Sequence, residues 1–169
     1  MRRPGYGKIP LFLVLLICSC FLGCARETVP VVGRPATDFT VTDLQGEKVS
    51  LSQFRGKVVI IDFWATWCPP CKASIPHLVD IYRRYNGKGV VILGILLEQS
   101  SSSHISRFVA DMRINYPVLL GTQEIMETYK VRHIPVTIVV DKEGIIREKL
   151  IGFSDVTMRR LEESIRGLL

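Results

Sequence analysis

Beyond Cys24 this chain has two cysteines, Cys68 and Cys71, and no others. A single pair three residues apart cannot staple distant parts of a chain, so a framework of structural disulfides is excluded and an apolar core must hold the fold. Histidine is scarce as well: His77 reads as helix surface, His104 as an exposed helix start, and His133 stands two residues before Pro135. No metal site is assigned, and the chemistry below needs neither metal nor organic cofactor. Basic residues form no run. Lys48, Arg55, Lys72, Arg83, Arg84, Arg107, Arg113, Arg132, Arg147 and Arg159 are scattered, with no basic helix and no aromatic interleaving, which argues against a nucleic-acid partner. The formal charge of +6 is itself inflated by Arg2, Arg3 and Lys8; without them 19 basic residues face 16 acidic ones. With 169 residues, 47% hydrophobic and 22% charged, the chain fits one globular domain and a short leader.

The leader is written in the first residues. Arg2, Arg3 and Lys8 precede an apolar run from Ile9 that continues through Cys18, Cys20 and Phe21 to Gly23, the order of a secretory signal sequence over residues 1–23. The run is shorter than the roughly 20 residues that comfortably span a bilayer. Phe21-Leu22-Gly23-Cys24 resembles a bacterial lipobox, in which the cysteine is lipidated and becomes the mature N-terminus; Phe21 departs from the usual leucine, and Ile17-Cys18-Ser19-Cys20 is the competing choice. Cys24 is the expected lipidation site. Residues 24–36, with Pro30, Gly33 and Pro35 and no periodicity, read as a membrane-proximal linker, leaving 37–169 as the domain. The protein is thus expected outside the cytoplasm, anchored to a membrane by lipid and facing the periplasm in a Gram-negative cell.

What the domain does have is Trp67-Cys68-Pro69-Pro70-Cys71, lying between a strand-like and a helix-like segment. Val58 to Trp64 is continuously apolar and β-branched except for Asp62, as in a central strand covered on both faces. Behind the cysteines, Ile75, Leu78, Val79 and Tyr82 recur at helical spacing, predicting a helix from about Cys71 to Tyr85 that Pro76 kinks. A cysteine at a helix start faces unpaired N–H groups and the positive end of the helix dipole, which favour thiolate. Cys68 is therefore the candidate nucleophile. Cys71 lies over the same helical face, within the short Cα separation a disulfide needs. Two thiols with this spacing in an exported domain are used for redox chemistry. Asp62, a carboxylate in an apolar strand, should have a raised pKa and exchange protons near neutrality.

Around this centre the patterns predict a hairpin from Phe39–Val41 and Lys48–Leu51, a helical turn at Ser52–Gly56, a strand over Val90–Leu97, and a helix with Ile105, Phe108, Val109 and Met112 on one face. Pro117 to Gly121 is a short strand at most, and Thr122 caps a helix carrying Ile125, Met126 and Tyr129. Val136–Val140 and Ile145–Ile151 form a closing hairpin, followed by a helix from Asp155. Long crossovers make the early strands parallel and the hairpin makes the sheet mixed. Glu98, at a strand end, reads as a solvated loop charge, and Trp64 as core.

Asp62 to Lys72, Pro76, the insertion around Ser100–Tyr116 and Ile134-Pro135-Val136-Thr137 together resemble thioredoxin-fold thiol-disulfide oxidoreductases of the TlpA/ResA type, within the redoxin (AhpC/TSA-like) superfamily. The resemblance covers about Pro35 to Leu169. It implies an α/β thioredoxin-like fold: a mixed central sheet flanked by helices, with an N-terminal β-hairpin and a central helical insertion. It implies a cis peptide before Pro135, with Ile134 and Pro135 set against the cysteines to bind an extended substrate. Trp67, with Pro69 and Pro70, would offer partners an apolar surface beside the nucleophile. Asp62 matches the buried aspartate held to assist deprotonation of the second cysteine. The glutamate that many ResA-like proteins carry three residues after that cysteine is Ser74 here, which increases the weight on Asp62. The implied activity is reduction of disulfides in exported proteins, apocytochrome c among them, with electrons from a membrane thiol transporter. Two rivals use the same thiols. A peroxiredoxin-type thiol peroxidase usually has threonine where Ala65 stands, and a copper(I) carrier of the Sco type would need His133 and spaces its cysteines one residue wider.

Overall fold

In a computed structural model, residues 32–169 are described; the signal sequence, Cys24 and the linker up to residue 31 lie outside them. The elements, in chain order, are β1 (Thr40–Asp43), β2 (Lys48–Ser50), β3 (Val58–Trp64), α1 (Pro69–Tyr85), β4 (Val90–Leu96), α2 (Ser102–Asp111), β5 (Val118–Leu120), α3 (Gln123–Thr128), β6 (Val136–Val140), β7 (Ile146–Ile151) and α4 (Asp155–Leu168). The seven strands form one sheet in the order β2-β1-β5-β4-β3-β6-β7. β3 runs parallel to β4 and antiparallel to β6, so the sheet is mixed at its centre.

The central strands are where they are because they have no polar face to show water. Every residue of β3 and β4 is buried. Alternation then sorts β3 between two cores. Val59, Ile61 and Phe63 pack with Leu93, Ile95, Ile125, Tyr129 and Ile138 on the α3 side. Val58 and Ile60 pack with Leu78, Ile81, Leu161 and Ile165 of α1 and α4 on the other. Each such fully buried side chain contributes about 1.5–3 kcal/mol. Asp62 and Trp64 share the α1 face, and Trp64 joins the apolar cluster that contains both cysteines.

Two expectations are adjusted. Helix α1 starts at Pro69, not Cys71, because prolines at its first two positions bring a suitable φ and lack only N–H groups that have no intrahelical acceptor. The helix also continues across Pro76, held by the buried side chains of Ile75 and Leu78 on either side. Val118–Leu120 is the short strand expected, and it pairs with β4 on one side and β1 on the other, tying the N-terminal hairpin to the sheet. Finally, residues 33–36, assigned to the linker by composition, are hydrogen-bonded to the start of β7: Gly33 N–H donates to Ile146 O (2.7 Å), Ile146 N–H to Arg34 O (2.9 Å) and Ala36 N–H to Gly144 O (2.9 Å).

Candidate active site

β3 ends at Trp64, and Ala65, Thr66 and Trp67 carry the chain to Cys68, which is the N-cap of α1. Cys68 N–H donates to Ala65 O (3.2 Å) and closes that connection as a turn. With prolines at the first two helical positions, Cys71 supplies the first free helical N–H, and it donates to Cys68 Sγ at 3.2 Å. Cys68 and Cys71 are joined as a disulfide, S–S 2.08 Å and Cα–Cα 5.3 Å. Both cysteines are buried, Cys71 fully and Cys68 with 3% exposure, while the neighbouring Trp67 is 65% exposed. Pro69 and Pro70 are exposed as well. In this oxidised state the candidate nucleophile Cys68 is buried.

The loop before β6 closes the site from the other side. The Ile134–Pro135 peptide is cis, as expected. Ile134 is half-buried against the cluster that holds Cys68 and Cys71, and Pro135 O accepts the Gly152 N–H (2.8 Å), fixing the loop to the end of β7. Five of the residues singled out from sequence, Trp67, Cys68, Pro69, Pro70 and Cys71, therefore sit on one turn, with Ile134 against the same cluster.

Asp62 lies deeper on the same face of β3, fully buried. Its Oδ1 accepts the Thr137 hydroxyl (2.9 Å) across the β3–β6 pairing, and its Oδ2 has no partner. Burial pushes its carboxyl up from 3.8 to about 7, against a smaller downward pull from Thr137. Ser74 is buried, and its hydroxyl donates to Cys71 O (2.9 Å), so that position braces the helix backbone and brings no charge.

Glu98 is the residue that sequence reasoning misplaced. Far from being a free loop charge, its carboxylate accepts the Thr66 N–H (2.6 Å), the Thr66 hydroxyl (2.9 Å) and the Ser100 hydroxyl (2.7 Å). Burial alone would raise its pKa; the hydrogen bonds from Ser100 and Thr66 outweigh that and hold it below the ordinary value. Glu98 thereby clamps the connection two residues ahead of Cys68. The available signal was its place just beyond β4, at the sheet edge from which active-site loops emerge. His104 reaches Thr66 Oγ1 at 3.4 Å. His77 and His133 are exposed, and His77 lies against Phe153 with ring centroids 5.4 Å apart. Among the described residues, no group of three His, Cys, Asp or Glu side chains is placed to hold a metal ion.

A redox disulfide capping the first helix of a mixed sheet, with a cis-proline loop beside it, defines a thioredoxin-fold thiol-disulfide oxidoreductase. The chain belongs to the AhpC/TSA family, whose model matches residues 32–149, and within it is a redoxin of the TlpA/ResA type. It is similar to the thiol-disulfide oxidoreductase ResA of Bacillus cereus, with 32% identity over 92% of this chain and 93% of that one. It is also similar to the ResA of Bacillus anthracis, with 35% identity over the same shares. Among solved structures, the thioredoxin domain of a thiol-disulfide oxidoreductase from Bacteroides vulgatus superposes with a TM-score of 0.71 at 27% identity, covering 80% of this chain and 98% of that one.

Proposed function

We propose that the protein is a reductase of disulfides in exported proteins, anchored outside the cytoplasm through a lipid on Cys24. In the reduced enzyme the Cys68 thiolate attacks one sulfur of a substrate disulfide. A mixed disulfide forms and the other substrate sulfur leaves as a thiolate. Cys71 then loses its proton to the Asp62 carboxylate and attacks Cys68 Sγ, so the second substrate sulfur leaves reduced and the enzyme is left as the Cys68–Cys71 disulfide. Two electrons pass from enzyme to substrate, and a dithiol donor, in this reading a membrane thiol transporter, returns them by the reverse exchange. Trp67, Pro69, Pro70, Ile134 and Pro135 form the surface against which the substrate strand lies.

The observation that carries the assignment is where the helix sets the two cysteines: Cys68 is the N-cap, accepting the Cys71 N–H next to an exposed tryptophan, and Cys71 is fully buried inside the first turn. The direction is supported by the same turn. Prolines at the first two helical positions leave Cys71 N–H as the first donor available to a Cys68 thiolate, and a modestly stabilised thiolate suits a reductant better than a strong oxidant. Apocytochrome c is the substrate class that the ResA resemblance favours. No helix among the described residues is long and apolar enough to cross a membrane; this reading assigns the anchor to Cys24.

The test is a trap in the native cell envelope. Cys71→Ala should accumulate a mixed disulfide with the natural substrate, and Cys68→Ala should abolish reduction. Undiminished disulfide reduction in both variants, or peroxide consumption that outpaces disulfide reduction by the wild type, refutes the assignment.

A further inference from the structure

Among the described residues three buried side-chain polar atoms have no hydrogen-bond partner: Asp62 Oδ2, Trp64 Nε1 and the Tyr116 hydroxyl. They converge on one place. Asp62 and Trp64 are two residues apart on β3 and point to the same face. Gly94 of β4 stands directly beside Asp62 in the parallel pairing. A Cβ at Gly94 would lie 3.0 Å from Trp64 Nε1 and 3.0 Å from Tyr116 Cε2, the ring carbon next to the one that bears the hydroxyl. The indole N–H and the phenol ring thus pack closely onto Gly94, in the place a larger residue beside the carboxylate would need.

The chemistry of the three groups is complementary. The indole N–H only donates. Burial, and secondarily the charge on Asp62, push the Tyr116 hydroxyl well above its ordinary pKa, so it keeps its proton. Asp62 Oδ2 is an acceptor that becomes stronger when the carboxyl ionises. Three unpaired buried polar groups are costly apart and satisfied together.

We infer that Tyr116 and Trp64, packed together over Gly94, receive the ionised Asp62 carboxylate through a small side-chain adjustment, which makes Tyr116 a positioning residue of the resolving step. This rests on Asp62 being the base for Cys71. Of the groups on this face, Tyr116, Tyr82 and Tyr85 and, in the reduced enzyme, Cys68 and Cys71 are the other titratable ones. β6 brings the neutral Thr137, β3 the neutral Trp64 and β4 only Gly94, while α2 and α4 bring the apolar Ile105, Met158, Leu161 and Ile165. The cation recorded against a side chain packed on the cysteine cluster is Lys72, whose Nζ lies 5.9 Å from the Phe108 ring centroid.

Tyr116→Phe in the full chain removes the hydroxyl and keeps the ring, which meets Tyr82 edge-on at 6.1 Å. Losing a donor to the carboxylate should raise the midpoint of its titration by about one unit, followed by carbon-13 NMR of the disulfide form. The collapse of a Cys68 mixed disulfide should slow up to about tenfold well below that midpoint and be unchanged well above it, with the Cys68 attack rate unaltered. Trp64→Phe should shift the midpoint the same way. An unmoved midpoint in a folded Tyr116→Phe protein overturns the inference, even where Asp62→Asn removes the pH dependence of resolution. If Asp62→Asn leaves that pH dependence intact, the reading of Asp62 as base falls as well.

Discussion

Asp62→Asn should make the protein more stable at neutral pH while it slows the resolving step. Burial places the Asp62 carboxyl at about 7, against 3.8 for an exposed one. An acid with a higher pKa folded than unfolded contributes stability that is fully present below the unfolded value and lost as pH rises through the folded one. About three units at 1.36 kcal/mol each amount to roughly 4 kcal/mol, of which roughly 2–3 kcal/mol falls between pH 5 and 8. Other carboxylates do not confuse that window, because Glu98, Asp141 and Glu162 are shifted downward and are ionised throughout it. Asparagine keeps an acceptor for the Thr137 hydroxyl and sets an uncharged amide where Oδ2 is unpaired. Urea unfolding of the disulfide form across this range should show the wild type losing about 2–3 kcal/mol and the variant nearly flat and the more stable of the two at pH 8. Parallel pH profiles for the two proteins would refute the claim that a buried, titrating Asp62 opposes folding.

Glu98→Ala leaves the Thr66 N–H and hydroxyl without their acceptor and should cost about 1–3 kcal/mol, with slower disulfide reduction, whereas Glu98→Gln should recover part of both; denaturation and insulin-reduction assays on the two variants check this. Gly121→Ala would set a Cβ 2.9 Å from Leu96 O and 2.6 Å from Leu97 Cδ2 at the β4–β5 junction, and the melting temperature should fall by the equivalent of about 1–3 kcal/mol. Glu162 is held at about 2, chiefly by Arg84 and then by Arg166 and Tyr85. Its stabilisation is present above the ordinary carboxylate range and lost as pH falls towards 2. The two arginines are 48% and 63% exposed, so screening limits the effect of Glu162→Gln at neutral pH to about 1 kcal/mol in denaturant unfolding.

The parts of the fold visible in sequence were those written in local pattern. Val58–Trp64 and Val90–Leu96 have no polar side to spare, Cys68 and Cys71 stand at disulfide spacing, and Asp62 is conspicuous as the lone charge in its strand. The ResA-type resemblance added the cis bond at Pro135, which local pattern leaves as an ordinary strand start. What escaped depends on partners distant in sequence. Val118–Leu120 is legible as a short strand, but its place between β4 and β1 is not. Residues 33–36 look like linker because Pro and Gly mask pairing with β7. Glu98 looks like a loop charge until Thr66, 32 residues earlier, is folded against it. The gathering of Asp62, Trp64 and Tyr116 depends on the β3–β4 register that puts Gly94 beside Asp62.

The division of labour between the sulfurs is open to one direct measurement. The reduced full chain is mixed with a slight excess of a peptide disulfide, quenched in acid within milliseconds, and the cysteine carrying the adduct is located by mass spectrometry. The account predicts the adduct on Cys68, with Cys71 free and the adduct discharged as the Cys68–Cys71 disulfide forms. An adduct on Cys71, or equal labelling of the two, would contradict it.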